Sequence, residues 1–203
     1  MNNNPHRVIL ASSNKGKLVE LQDALATTPY KLQPQGEFGV ADAVEDGLTF
    51  VENAIIKARH AARETGFATI ADDSGLVVPA LGGAPGIYSS RYSGEGDAAN
   101  NAKLLAAMVD LEGEARFAWF MCVLVFMRSA EDPAPIIAEG RWYGHIAHEL
   151  RGQGGFGYDP LFLVDGLSKG EQVCSAAELS LEQKRLFSHR GQAVRLLCEQ
   201  LND

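Results

Sequence analysis

Apolar and polar positions follow one another along the chain in blocks that are typical of an α/β protein. Short apolar runs at 8–11 and 67–71 predict buried strands, and the run from Phe117 to Met127 predicts a central strand or a bent strand pair. Leucines at helical spacing predict a helix over about 17–26, after a polar loop. Strands and helices therefore alternate from the start of the chain.

Weaker periodic signals complete this picture. They predict further strands at 30–34, 136–147 and 161–164 and further helices at about 49–64 and 98–109, a helix start at 180–183, and a closing amphipathic helix after Ser188-His189-Arg190. Because strands interleave with helices throughout, the predicted fold class is α/β, with a long sheet from the middle of the chain.

A pair of adjacent acids ends the apolar run at 67–71, in the stretch Ala71-Asp72-Asp73-Ser74-Gly75. This order predicts two carboxylates in a loop at a strand end. Adjacent carboxylates repel each other, so one is expected to have a divalent cation or a proton as partner. A turn with two solvated acids is the alternative. The glycine-rich segment at 81–94 favours a functional site, because such backbone can approach a ligand closely.

The loop Ser12-Ser13-Asn14-Lys15-Gly16-Lys17 joins the first strand to the first helix. Free backbone N–H groups at a helix N-terminus bind phosphate, and two lysines add positive charge. The Walker pattern is absent, because its first glycine and its hydroxyl residue are missing. An ordinary strand–helix connection with an N-cap serine is the alternative, and this stretch alone does not decide between the two.

A capping box, Thr49-Phe50-Val51-Glu52, opens the helix predicted at about 49–64. Lys57 lies at the border of the apolar stripe of this helix. A lysine in that position usually extends to water. The functional alternative is an ammonium group that points into a cleft towards an anion.

A second glycine-rich loop, at 152–160, contains four glycines around an aromatic pair. It predicts a flexible loop that approaches a ligand closely and carries two stacking rings. Further along, Ser188-His189-Arg190 follows a helix signal. Taken alone, the His189-Arg190 pair is best interpreted as the exposed start of a helix.

Composition and charge narrow the function. The chain has 203 residues and a net charge of −8, which argues against a general nucleic-acid binder or a membrane-surface protein. Its three cysteines form no C-x-x-C pair, so we expect a reducing, cytoplasmic location. No apolar run reaches the roughly 20 residues of a membrane helix. The polar residues 1–6 are expected to be frayed.

Together, these motifs resemble the inosine triphosphate/xanthosine triphosphate pyrophosphatase family. The resemblance covers nearly the whole chain, with the motifs in family order. The matching segments are 11–17, 49–58, 71–76, 82–92, 155–160 and 188–191. The family implies a single two-lobed domain over 1–203, with a mixed elongated central sheet flanked by helices. It also implies an active-site cleft between the lobes and, usually, a homodimer.

The resemblance also implies a reaction. Members hydrolyse purine nucleoside triphosphates between the α and β phosphates, with Mg²⁺, to a monophosphate and pyrophosphate. The implied substrates are the deaminated nucleotides ITP, dITP and XTP, which are removed before they enter DNA or RNA. Neither nucleic acid nor membrane is an expected partner.

Roles for individual residues follow from the matched motifs. Glu45 and Asp73, with Asp72, would carry Mg²⁺, and Asp73 would also act as the base that deprotonates water. Sequence does not separate these two roles of Asp73. Ser74 would bind substrate next to the acid. The triphosphate would be held by the residues of the first loop and its neighbouring helix: Ser12, Ser13, Asn14, Lys15, Gly16, Lys17 and Lys57.

The purine base would stack on an aromatic ring of the segment Phe156-Gly157-Tyr158-Asp159. Lys184, His189 and Arg190 would face its polar edge. Donors aimed at a 6-oxo group accept hypoxanthine and xanthine but oppose the 6-amino group of adenine, which can give discrimination on the order of 10⁴. No residue is assigned to the exclusion of guanine.

The chain departs from the family pattern at Cys174, where a lysine or arginine is usual. Lys169 is an alternative source of that charge. The departure bears on the geometry of this loop and on the substrate ranking, not on the reaction class.

Three alternatives remain open at this stage. Asp73-Ser74-Gly75 matches the triplet of aspartic proteases, but such enzymes need two triplets and this chain has one. A nucleotide sensor without turnover is the second, although the intact Asp72 and Asp73 argue against it. A related pyrophosphatase that acts on other modified nucleotides is the third.

Overall fold

The computed structural model describes residues 6–12, 15–26, 28–169 and 172–202. Strands and helices alternate along most of this part of the chain. In chain order, the elements are β1 His6–Leu10, α1 Lys15–Ala24, β2 Tyr30–Pro34, α2 Phe50–Thr65, β3 Ala68–Val77, α3 Asp97–Ala107, β4 Phe117–Met127, β5 Ile136–Ile146, β6 Phe162–Lys169, β7 Gln172–Ser175, α4 Leu181–Phe187 and α5 His189–Asn202.

The strands form a seven-stranded sheet in the order β2-β1-β3-β4-β5-β6-β7. Strand β1 is parallel to both β2 and β3, whereas β6 is antiparallel to both β5 and β7. Parallel pairs need a crossover, and helices supply it at α1 and α2. The sheet is therefore mixed, and the predicted α/β fold is confirmed.

The chain clusters into two compact units, each with its own core. Unit 1 comprises Met1–Asp73, Cys122–Glu139 and Ala193–Asp203, and unit 2 comprises Ser74–Met121 and Gly140–Gln192. The core of unit 1 is mainly aliphatic and includes Val8, Leu21, Ile70, Leu124 and Leu197. The core of unit 2 is richer in aromatic rings and includes Leu104, Phe120, Trp142, Tyr158 and Phe162.

A buried arginine ties together several segments of unit 2. Arg116 is 4% exposed, and its guanidinium donates to the carbonyl oxygens of Met108, Leu111, Ile146 and Ala147 at 2.6–2.9 Å. Burial lowers the pKa of Arg116, but a guanidinium keeps its charge in proteins. These hydrogen bonds join the segment after α3 to the end of β5.

Several element boundaries differ from the predictions. Strand β3 does not end at Ala71 but continues through the acidic stretch to Val77, so the predicted loop there is wrong. Helix α1 begins at Lys15, which places Lys15, Gly16 and Lys17 in its first turn rather than in the loop. Strand β6 extends to Lys169, and β7 was not predicted.

Of the residues 1–6 that were expected to be frayed, His6 opens β1 and the others lie outside the described residues. No helix in the described part of the chain is long and apolar enough to cross a membrane.

A glycine in the sheet of unit 2 supplies a test of this fold. A Cβ atom on Gly144 would lie 2.1 Å from the backbone oxygen of Leu163, in the neighbouring strand. We therefore expect Gly144→Ala to lower the free energy of unfolding by about 2 kcal/mol, because the two strands would have to separate. Urea unfolding followed by circular dichroism measures the change.

Gly36→Ala is the matched control, because a Cβ atom there meets no atom within 4 Å. It should leave stability nearly unchanged. Equal stability of Gly144→Ala and the wild type would contradict the close approach of β5 and β6.

Candidate active site

The acidic pair lies where β3 loses one of its two neighbours. Strand β1 pairs with β3 through Val8↔Ala68 and Leu10↔Ile70, and just after β1 the Ala11 N–H donates to the Ile70 oxygen at 2.8 Å. Asp72 and Asp73 follow directly and are 1% and 8% exposed. Burial makes unpaired carboxylates costly, so each is expected to have a cationic or proton partner.

The partner of Asp72 is Lys17, from the first turn of α1. Its Nζ lies 2.6 Å from Asp72 Oδ1. Both side chains line a cavity of about 210 Å³ in unit 1. The other residues of its wall are Ala11, Ser12, Gln35, Asp42, Ala43, Glu45 and Lys57. Five predicted site residues of this unit, Ser12, Lys17, Glu45, Lys57 and Asp72, therefore border one cavity.

Lys57 connects the second acid to Glu45. Its Nζ lies 2.9 Å from Asp73 Oδ1 and 3.3 Å from Glu45 Oε1, and its side chain is 13% exposed. Lys57 does not extend to water, so the usual fate of a lysine at the edge of an apolar stripe does not apply. The N-cap of the predicted capping box is confirmed: Thr49 Oγ1 accepts the Glu52 N–H at 3.2 Å and begins the helix that carries this lysine. The Glu52 carboxylate accepts the Leu48 N–H and the Thr49 hydroxyl.

The segment that bears Glu45 has no regular structure and is held by polar contacts instead. The Gln35 amide donates to Asp42 Oδ1 at 2.6 Å, and Gly47 N–H donates to Asn53 Oδ1 at 2.9 Å. His60 Nε2 lies 3.0 Å from the Ala41 oxygen. Helix α2, which carries both Asn53 and Lys57, thus positions this segment as well as the ammonium group.

The environment of this site favours the protonated forms of Asp73 and Lys57. Burial raises the pKa of Asp73, and the carboxylates of Glu45 and Asp72 add to this effect while Lys57 opposes it. Burial also disfavours the Lys57 ammonium, but Asp73, Asp72 and Glu45 outweigh that effect and raise the pKa of Lys57. Three carboxylates thus face two ammonium groups, and a raised carboxyl pKa is typical of a general base.

A divalent cation fits the donors at this site. Carboxylate oxygens are the ligands that Mg²⁺ prefers. Asp73 Oδ2 is buried and has no hydrogen-bond partner among the described residues, so it can accept a further cation. The described residues contain no group of three His, Cys, Asp or Glu side chains already arranged for a metal ion. The metal roles of Glu45, Asp72 and Asp73 therefore stay a prediction.

The remaining residues of the predicted phosphate loop divide into two groups. Ser12 lies at the cavity, and Lys15 and Gly16 open α1, whose N-terminus favours anions through the helix dipole. Ser13 and Asn14 lie outside the described residues.

The residues predicted to read the base lie in unit 2. Lys184 Nζ lies 2.7 Å from Asp159 Oδ2, which also accepts the Phe156 N–H at 3.0 Å. Gly155 has φ +78°, and a Cβ atom there would lie 2.1 Å from Asp159 Oδ2 and 2.5 Å from Lys184 Nζ. Gly155 is thus required both by its backbone conformation and by this ion pair.

The two aromatic rings of this loop differ in role. Phe156 is 69% exposed, whereas Tyr158 is 3% exposed and its hydroxyl donates to the Ser89 oxygen at 2.9 Å. Burial raises the pKa of Tyr158. The expectation of two stacking rings is therefore wrong: Tyr158 packs in the core of unit 2, and Phe156 presents its ring to solvent.

His189 and Arg190 begin α5 but are not an exposed pair. The His189 ring stacks on Phe120, with centroids 4.9 Å apart and an interplanar angle of 13°. Arg190 is 6% exposed, and its Nη2 donates to Ser74 Oγ at 3.2 Å. A Cβ atom on Gly191 would lie 2.0 Å from the Arg185 oxygen, so this glycine lets α4 and α5 meet closely.

Several residues at these two sites were missed. Gln35 and Asp42 border the cavity of unit 1, and Phe120 lies behind His189. The sequence around these residues has the pattern of ordinary strands and turns, so nothing in it marks them as site residues. Cys174, the departure from the family pattern, is 3% exposed in β7.

The mixed sheet flanked by helices defines an α/β protein, and unit 1 of this protein carries a buried cluster of acids and lysines. The sequence model of the Ham1 family matches residues 8–200 of this chain. The chain therefore belongs to the Ham1 family.

Its relatives are similar over nearly their full length. The chain is 54% identical to the dITP/XTP pyrophosphatase of Thioalkalivibrio sulfidiphilus over 197 residues, 96% of this chain and 98% of that protein. It is 53% identical to the dITP/XTP pyrophosphatase of Yersinia pseudotuberculosis, over 97% of this chain and 98% of the relative. The structure of a HAM1 protein from Coxiella burnetii matches with a TM-score of 0.90 and 48% identity, covering 97% and 98% of the two chains.

The charge balance at Lys57 can be tested by stability. Lys57→Met leaves its carboxylate partners without an ammonium group, so we expect a loss of about 3 kcal/mol at pH 7. Because the pKa of Lys57 is raised, its contribution is fully present below about pH 10.5 and is lost as the pH rises through the raised value. Urea unfolding of both proteins between pH 7 and pH 11 measures this difference.

Lys31→Met, at an exposed lysine of β2, is the matched control and should change stability little at any pH. An equal effect of the two substitutions would mean that Lys57 is not held by the carboxylates.

Proposed function

We propose that the protein is a Mg²⁺-dependent nucleoside triphosphate pyrophosphatase. It hydrolyses the deaminated purine nucleotides dITP, ITP and XTP to the nucleoside monophosphate and pyrophosphate, and so keeps them out of DNA and RNA. The observation that carries this proposal is the full-length identity of 54% to a dITP/XTP pyrophosphatase, together with the lysine and carboxylate side chains around one cavity. Family membership removes the aspartic protease alternative.

The phosphates would bind in unit 1. Lys17 and Lys57 are oriented by Asp72 and Asp73, so two ammonium groups are already in place for phosphate oxygens. The N-terminus of α1 and the preceding residues Ser12 to Asn14 would add backbone and side-chain donors. Such preorganised cations stabilise the charge that develops when a phosphoanhydride breaks.

Asp73 would provide the base. Its carboxylate would orient a water molecule and take its proton as the water oxygen attacks the α-phosphorus and pyrophosphate leaves. Glu45 and Asp73, with Asp72, would hold Mg²⁺, which neutralises phosphate charge and lowers the pKa of bound water. A raised pKa brings Asp73 closer to the range in which a base works at neutral pH.

The purine base would be read in unit 2. Phe156 offers an exposed ring for stacking, and Lys184, His189 and Arg190 supply donors for a 6-oxo group. Ser74, which accepts from Arg190, would contact the substrate next to the acidic pair. We further propose that the two units together form one pyrophosphatase domain, that the protein is a homodimer, and that it acts in the cytoplasm.

The direct test is pyrophosphate release by the purified protein with Mg²⁺, comparing dITP and XTP with ATP and dGTP. We expect rapid release from the first pair and little from the second, and no release after EDTA removes the metal. Release of single phosphates, or equal rates with all four, would contradict the assignment of the base-reading residues. Nucleotide binding without turnover would support the sensor alternative.

A second test concerns the base. Asp73→Asn should lower kcat by about a thousandfold, because an amide does not accept the proton of water. Its fold should persist: since burial raises the pKa of Asp73, the ionised carboxyl costs stability at neutral pH, and the amide removes this cost. Single-turnover kinetics and thermal unfolding at pH 7 measure the two effects. Activity near the wild-type level would remove Asp73 as the base.

A further inference from the structure

Two side chains of α3 hold both polar groups of a single residue in the glycine-rich loop of unit 2. Asp97 Oδ2 accepts the Gly157 N–H at 2.7 Å, and Asn101 Nδ2 donates to the Gly157 oxygen at 2.9 Å. Asp97 and Asn101 are four residues apart, so they lie on the same face of the helix. Together they hydrogen-bond to Gly157 as a neighbouring strand would.

This contact acts on the middle of a loop that is held elsewhere by the Gly154 N–H bond to the Ala177 oxygen and by the ion pair of Asp159 with Lys184. Residues 151–161 contain no helix or strand, and Gly152, Gly155 and Gly157 all have positive φ. A glycine-rich loop loses much conformational entropy when it is ordered, so its shape depends on contacts of this kind. Gly157 itself has φ +59°, a conformation that other residues rarely adopt.

The exposed ring of Phe156 lies one residue before this peptide. Phe156 is 69% exposed, and it makes no ring contact with another aromatic residue in the described part of the chain. With most of its surface exposed and no aromatic neighbour in that part of the chain, the ring has little packing to fix its direction. Its direction depends on the backbone on either side, through the Phe156 N–H bond to Asp159 and the two bonds to Gly157.

Asn101 is a buried polar residue whose side chain is only partly satisfied by hydrogen bonds. It is 6% exposed, and its Oδ1 is buried without a hydrogen-bond partner among the described residues. An unsatisfied buried acceptor costs free energy, and an apolar side chain of similar size would remove that cost. That apolar side chain would also leave the Gly157 oxygen without this donor, so the asparagine is explained by its hydrogen bond to the loop.

We propose that Asp97 and Asn101 are positioning residues for base recognition: by fixing the Gly157 peptide, they hold the Phe156 ring ready to stack on the purine. This inference rests on the proposed function and adds two residues outside the matched motifs. It predicts that the pair governs affinity for the base and leaves the phosphate site of unit 1 unchanged.

The test measures binding of inosine monophosphate and of pyrophosphate by calorimetry, and KM and kcat for dITP. For Asp97→Ala and for Asn101→Leu, we expect the Kd for inosine monophosphate and the KM to rise about tenfold, with kcat and the Kd for pyrophosphate within twofold of the wild type. Asn101→Leu removes both an unsatisfied acceptor and one hydrogen bond to Gly157, so its unfolding temperature should stay within about 4 °C of the wild type. Asp97→Asn keeps an acceptor oxygen and should recover most of the affinity.

Asp110→Ala removes the same charge from an exposed position after α3 and serves as the control, with no expected change. An unchanged Kd for inosine monophosphate in both variants would overturn the inference, and so would equal weakening of monophosphate and pyrophosphate binding. If the wild type binds inosine monophosphate but does not turn over any nucleotide, the proposed function fails while the positioning role stands. A wild type that binds neither ligand would overturn both.

Discussion

Two adjacent carboxylates on a buried strand are the constraint on which the site in unit 1 depends. Consecutive residues of a strand point to opposite faces, so one lysine cannot serve both acids. The chain meets this constraint with two helices: α1 supplies Lys17 to Asp72, and α2 supplies Lys57 to Asp73. Burial makes each ion pair necessary, since an unpaired buried charge is costly. The same pairing places two ammonium groups beside the carboxylates that the proposed reaction uses.

Much of the fold was predictable because local signals and tertiary contacts agree. The strand at 30–34 and the helix N-cap at Thr49 appear where the pattern places them. The loop at the acidic pair was predicted wrongly for a physical reason. Adjacent acids disfavour a buried strand, but β3 keeps its place in the sheet beside β4, and lysines neutralise the acids. Propensity gives way here to long-range contacts that the sequence does not reveal.

The site was predictable in its residue types and less so in its geometry. Because Lys57 lies at the border of the apolar stripe of its helix, its side chain could point either to water or into a cleft. Only the position of Asp73 on β3 decides between these two directions. Tyr158 and Phe156 have the same motif context, yet one is buried and the other exposed. The hydrogen bond between Asp97 and Gly157 joins residues 60 positions apart, and no periodic pattern in the sequence predicts a contact at that separation. The residue types of the site are thus recognisable from local sequence motifs, whereas the orientation of their side chains depends on contacts that form only in the folded sheet.

The proposed mechanism requires water to attack the α-phosphorus of a nucleoside triphosphate. Hydrolysis of dITP in ¹⁸O-labelled water, followed by mass spectrometry of both products, tests this claim most directly. We expect one ¹⁸O atom in the nucleoside monophosphate and none in the pyrophosphate. Label in the pyrophosphate would place the attack at the β-phosphorus and would contradict the proposed arrangement of the base and the phosphates.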